Sequence, residues 1–199
     1  MRSSKKLPNT LKQLRLSLDN NYKSFNLYFQ DESRFGLMTH VGTALTAKGV
    51  KPIVNYQQAF KNTYLYGSYS PIDGSNFTWE VEGVDTLIFE AYLKAFSLYK
   101  PEELKVVIID NAGFHSTKNI TIPDNIKLIR IPPYTPELNP CEKVWQYIKE
   151  RFKNKTFHNI EALKKWLHQT VKEQITTENI ISIVKSEFYI KTFKACFNS

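Results

Sequence analysis

Three acidic residues sit where a carboxylate can do chemistry. Asp31 follows the apolar run LYFQ, Asp110 follows VVII, and Glu142 opens a helical stretch after PPYTPELNP. A charge at the end of a buried strand is costly unless something compensates it. A divalent cation is one compensator. Magnesium favours hard oxygen ligands and is held by one or two carboxylates, waters and phosphate oxygens. If the strands bearing Asp31 and Asp110 are neighbours, their C-terminal ends place both carboxylates at one edge. The helix of Glu142 then needs only to cross that edge. Two ions about 3.5–4 Å apart activate the attacking oxygen and stabilise the leaving one in phosphoryl transfer.

Each acid also has a plain local reading. Asp110 in IDNAG and Asp31 in QDES are turn-formers by type. Asn139, Pro140, Cys141 and Glu142 match N-cap, N1, N2 and N3, so Glu142 is placed to close a capping box. Taken singly, none of the three acids decides between these readings. Glu32, next to Asp31, points to the other face of an extended strand. Glu137 reads as a loop surface residue, and Trp145 and Tyr134 read as packing aromatics.

The elements that must carry these acids are visible in the pattern. Leu7, Leu11, Leu14 and Leu18 have helical spacing. SFNLYFQDESRFGLM reads as a strand ending near Asp31, and RFGLMTHVGTALTAKG as an extended hairpin. NTYLYGSYSPIDGSNFTWEVE reads as one or two antiparallel strands around a DGSN turn. GVDTLIFEAYLKAFSLYK is a helix with Asp85 as N-cap. ELKVVIIDNAG is a β-branched run of the kind found in buried central strands, and NIKLIRIPP is another strand. NPCEKVWQYIKERF is helical, and two further helices follow, in HNIEALKKWLHQTVKEQ and TTENIISIVKSEFYIKTFKACF. Antiparallel strands first and crossover units later predict an α/β (α+β) fold with one mixed sheet flanked by helices.

The 199 residues are 42% hydrophobic, enough for a sizeable core. No stretch is long and apolar enough to span a membrane, and the N-terminus lacks the pattern of a secretory signal. Two cysteines, Cys141 and Cys196, form no disulfide framework or zinc spacing, so a reducing, cytoplasmic location is expected. The net charge of +8 is unevenly spread. Residues 1–30 carry six Lys/Arg and one acid, residues 143–199 eleven and five, and residues 31–142 ten and thirteen. Basic flanks around an acidic centre suit a protein that holds a polyanion over a carboxylate cluster. A solvated surface with uneven charge would look the same.

Together, YFQDESRFGL, VVIIDNAGFHS and PPYTPELNPCEKVWQYIK resemble the transposases of the IS630/Tc1/mariner superfamily. The third segment is the most specific, with LNP, an acid and Trp three residues later. The resemblance covers roughly residues 25–155. It implies an RNase H-like fold with a mixed five-stranded sheet and a DDE triad of Asp31, Asp110 and Glu142 binding two Mg²⁺ ions, with Mn²⁺ as a substitute. It implies nicking of double-stranded DNA at transposon ends, then attack of the freed 3′-OH on target DNA. Asn111 and His115, just past the second acid, are candidate auxiliaries that would orient phosphate or a metal-bound water.

The expected organisation is a basic arm at 1–24, a catalytic domain at 25–157 and a helical extension at 158–199. The 31 residues between Asp110 and Glu142 are somewhat few for the group. Its members normally carry N-terminal helix-turn-helix domains, and about 25 residues precede the first strand here. A separate helix-turn-helix polypeptide is therefore an expected partner, with a homodimer forming on DNA. Two rival functions stay open: an RNase H-like nuclease without strand transfer, and a catalytically silent DNA-binding or assembly module.

Overall fold

A computed structural model describes residues 6–17, 22–39, 46–51, 53, 57, 59–110, 120–130 and 139–197. Five strands form one sheet: β1 (Ser24–Gly36), β2 (Asn62–Tyr69), β3 (Asn76–Val81), β4 (Glu103–Ile109) and β5 (Ile126–Arg130). Their order across the sheet is β3-β2-β1-β4-β5. Among the described residues six helices accompany them: α1 (Lys6–Ser17), α2 (Thr86–Leu98), α3 (Cys141–Phe152), α4 (Ile160–Gln174), α5 (Thr177–Val184) and α6 (Glu187–Phe197). The pairs β1–β2 and β2–β3 are antiparallel, and β1–β4 and β4–β5 are parallel. This is the mixed five-stranded sheet that the residue pattern predicts.

Period-two alternation sends the strands' side chains into two separate cores. On one face Tyr28, Tyr66, Val107 and Ile109 pack against Phe89, Tyr92, Leu93 and Phe96 of α2. On the other, Leu27, Phe29, Phe35, Val106 and Ile108 pack against Val144, Trp145, Ile148 and Phe152 of α3. Leu163 and Leu167 of α4, Ile180 of α5, Phe193 and Phe197 of α6, and Leu11 of α1 join that second core. β4 is buried along its whole length, and its second half, Val106–Ile109, is accordingly a continuous apolar run, while the buried Glu103 and Lys105 at its start are hydrogen-bonded.

Local signals explain most element ends. Asp85 caps α2 by accepting from the Ile88 N–H at 2.8 Å. The DGSN turn joins β2 to β3, with Asp73 accepting the Ser75 N–H at 2.9 Å. Three expectations need correction. β1 does not end near Asp31 but runs on to Gly36, because residues beyond Asp31 still pair with β2 as far as Gly36↔Asn62. In the expected hairpin over 34–49, only residues 34–36 are strand among the described residues. The last helical segment is two helices, broken where Lys185 leaves helical geometry at ψ 121°. No Gly or Pro marks that break.

Gly74 in the DGSN turn has φ +72°, and a Cβ there would collide with the Thr177 carbonyl at the start of α5. Gly74→Ala should therefore meet both backbone strain and a clash that a flexible side chain cannot relieve. The expected loss is about 2 kcal/mol or more in urea unfolding.

Candidate active site

The parallel pairing of β1 with β4 decides the geometry. Its register runs from Ser24↔Glu103 to Phe29↔Ile108. Asp31 and Asp110 lie two residues beyond that last pair, so the two acids stand side by side where the β1–β4 pairing ends, while β1 itself runs on beside β2. The charge of Asp110 acts on Asp31. Ligands in open α/β sheets gather at the carboxyl ends of parallel strands, and this edge is such a place.

The first turn of α3 is fastened to the same edge. The Asn139 side chain donates to the Gln30 carbonyl at 3.3 Å and accepts the Cys141 N–H at 3.1 Å. The Cys141 thiol donates to the Phe29 carbonyl at 2.9 Å. Asn139 thus caps the helix start and docks it on β1 with one carboxamide. Pro140 occupies the cap position itself, one residue later than the spacing predicts. The Glu142 backbone N–H donates to the Asn139 carbonyl at 3.3 Å, but among the described residues no side-chain bond runs from Glu142 back to Asn139, so the expected capping box does not form. The Glu142 side chain is exposed in the first turn, free of the competition between cap and cation.

One turn further along, Trp145 donates its indole N–H to Oδ2 of Asp31 at 3.0 Å. Trp145 is 4% exposed and meets Tyr69 edge-on, ring centroids 5.6 Å apart. The aromatic read as packing therefore both packs and orients a candidate ligand. The motif shows it only as a Trp three residues after the third acid, which on a helix is the same face.

Burial pushes the Asp31 carboxyl up to about 7, with the charge of Glu32 adding to it. The Glu32 backbone N–H and the Trp145 indole pull the other way, and Asp110 raises it again. Burial also pushes the Cys141 thiol up, helped by Asp31, Glu32 and Glu142. The acids therefore share one electrostatic neighbourhood around the start of α3. Glu32 itself lies across from Tyr66 on the other face of β1, and acts here through its field.

Among the described residues no group of three or more His, Cys, Asp or Glu side chains stands ready to hold a metal ion. Asp31 and Asp110 are brought together, and Glu142 reaches the same edge without closing a three-acid cage. The donor set still fits a hard dication. It consists of carboxylate oxygens, those of Asp31 partly buried beside other acids and without an ion pair among the described residues. Asn111 and His115, like Tyr134 and Glu137, lie outside the described residues. A second cavity, about 660 Å³, lies at the opposite pole beside Lys23, Asn26, Asp73 and Lys100. Its buried polar groups are already bonded to one another, as in Asn26 to Asp73 at 3.0 Å and Tyr28 to Glu103 at 2.8 Å.

The family described as DDE superfamily endonuclease matches residues 26–164. An uncharacterised protein, y4pE/y4sA of Sinorhizobium fredii (strain NBRC 101917 / NGR234), is 32% identical over 102 residues, 50% of this chain and 76% of that protein. The catalytic domain of Mos1 mariner transposase superposes with a TM-score of 0.57 at 14% identity, covering 98% of this chain and 92% of that one. The mariner Mos1 paired-end complex with Mg gives a TM-score of 0.64 at 16% identity, covering 98% of this chain and 61% of that one. The chain thus spans about three fifths of the transposase in that complex. The shared fold is RNase H-like. No helix among the described residues is long and apolar enough to cross a membrane.

Raising a carboxyl from the ordinary range to about 7 makes its ionisation oppose folding. In metal-free protein, Asp31→Asn should match wild type near pH 4 and grow steadily more stable than it up to pH 7. Above that the gain should hold level, at roughly 1–3 kcal/mol in denaturant melts. Trp145→Phe keeps the contact with Tyr69 but removes the N–H. It should cost about 1–2 kcal/mol and move the Asp31 titration higher by NMR.

Proposed function

The chain belongs to the DDE superfamily endonuclease family, and from that premise we propose that it is the catalytic domain of an IS630/Tc1/mariner-type transposase. Its substrate is double-stranded DNA, cut at transposon ends and joined to a target. The observation that carries this reading is the parallel β1–β4 register, which delivers Asp31 and Asp110 to one sheet edge beside the start of α3.

In this reading Asp31, Asp110 and Glu142 hold two Mg²⁺ ions, or Mn²⁺ in their place. When bound, the ions supply charge neutralisation and activation of the attacking oxygen. The protein's own groups prepare the edge. Trp145 fixes one oxygen of Asp31 and leaves the other for a ligand. Asn139 and Cys141 set the position of α3, and α3 presents Glu142 outward. Burial of Asp31 beside other acids keeps that carboxyl reluctant to ionise until positive charge arrives. In the first step water attacks phosphorus, a proton leaves, and the 3′ oxygen departs as a hydroxyl. That 3′-OH then attacks a target phosphodiester and displaces its 3′ oxygen, so one phosphodiester forms as one breaks.

The functional division proposed is an arm at 1–24, the catalytic unit at 25–157 and an extension at 158–199. Recognition of ends belongs to a separate helix-turn-helix polypeptide, and two copies assemble on paired ends. Support for the DNA and metal comes from the fold shared with a paired-end complex with Mg.

Glu142→Gln is the sharpest test, because the side chain is exposed and makes no capping-box bond. Its melting temperature should equal wild type, while Mg²⁺-dependent nicking should fall at least about 100-fold. Asp110→Asn should fall as far. Joined product from a 3′-OH donor end separates transposase from simple nuclease. Full activity in Glu142→Gln would remove that residue from the triad. A wild-type chain that shifts DNA without cutting it, metal or no metal, would instead be a silent module.

A further inference from the structure

Beside the carboxylate edge, β1 and α3 enclose a cleft of about 390 Å³ lined by Arg34, Phe35, Gly36, Asn62, Lys149 and Phe152. Lys149 follows Trp145 by one helical turn and Glu142 by two, so the three line up along one side of α3, from the exposed Glu142 past the buried Trp145 to the half-buried Lys149. Its stem lies on Phe35, with Nζ 5.8 Å from the ring centroid. The side chain is half-buried, and among the described residues its ammonium has no ion pair and no hydrogen bond. Burial lowers its pKa, while the charge of Asp31 opposes that shift from a distance. Arg34, exposed on β1, likewise has no anionic partner among the described residues. At the floor, a Cβ on Gly36 would collide with the Asn62 side chain, so the main chain and Asn62 together form the surface.

A half-desolvated cation with no counter-ion is unfavourable in the free protein. A cation in a cleft beside the carboxylate edge selects an anion with several acceptor oxygens. We propose that this cleft seats a backbone phosphate of the DNA strand adjoining the cut, with Lys149 as its cation. The proposal rests on the reading of the edge as a DNA-cleaving site. It sets the path of the strand: from the acids, along α3, towards Gly36.

The alternative role for Lys149 is counter-ion to Asp31, which would make it a structural residue. The two roles predict opposite signs. The test is fluorescence-anisotropy binding of the full chain to a short DNA duplex of arbitrary sequence over a salt series, with thermal melts of the same proteins. Lys149→Gln should weaken binding about three- to tenfold and reduce the salt slope by about one. Its melting temperature without DNA should equal or exceed that of wild type, and Lys149→Arg should restore most of the affinity. Lys94→Gln, on α2 across the sheet, is the control for bulk charge. Three results would overturn the proposal: unchanged affinity in Lys149→Gln, an equal loss in Lys94→Gln, or a lower melting temperature with affinity intact. If wild type binds no duplex at all, with or without Mn²⁺, the DNA-cleaving reading itself falls. If wild type binds and cuts while Lys149→Gln is unchanged, only the cleft assignment falls.

Discussion

The docking of one helical turn onto the end of one strand holds the site together. Asn139 and Cys141 bind the carbonyls of Gln30 and Phe29, and Trp145 binds the next residue but one, Asp31. These bonds span more than a hundred residues of sequence, from the central strand to α3. Without them the third acid has no fixed relation to the first two. Each bond is worth only about 1 kcal/mol net. Their force is geometric: they act in a dry contact where a broken one leaves a buried polar group unmatched.

The same contact sets the local charge balance. Among the described residues Asp31 is partly buried near other acids with no cation bonded to it, and Lys149 is half-buried with no ion pair. Both groups are electrostatically unfavourable in the isolated chain, and with opposite signs. A fold selected for stability alone would pair or expose them. Held apart along α3, they leave one spot hungry for positive charge and an adjacent one hungry for negative charge. A metal–phosphodiester assembly has that polarity. The two aromatic-rich cores on either side of the sheet supply the stability that lets these costs stand.

Much of this was legible in the residues. The apolar run before Asp110 announced a central strand, and β4 is one. Asp85 and the DGSN turn announced themselves by turn and cap chemistry. What stayed hidden depends on contacts distant in sequence. β1 overran Asp31 because its pairing with β2 continues, and pairing partners are not written in a strand's own residues. The capping box at Glu142 failed because Asn139 spends its side chain on β1 as well as on the helix. Trp145 looked like packing because an indole N–H has no sequence signature for its acceptor. The split between α5 and α6 came without Gly or Pro, at a Lys whose own residue type gives no stop signal.

The interleaved register has a consequence for the newborn chain. The central strand bearing Asp31 is synthesised early, yet its parallel partner comes some eighty residues later and α3 later still. Until β4 has left the ribosome, β1 has only its antiparallel neighbour β2 to pair with, and the docking of α3 comes later still. A nascent chain therefore carries no assembled carboxylate edge. The edge is complete only once α3 has docked on the strand made more than a hundred residues earlier.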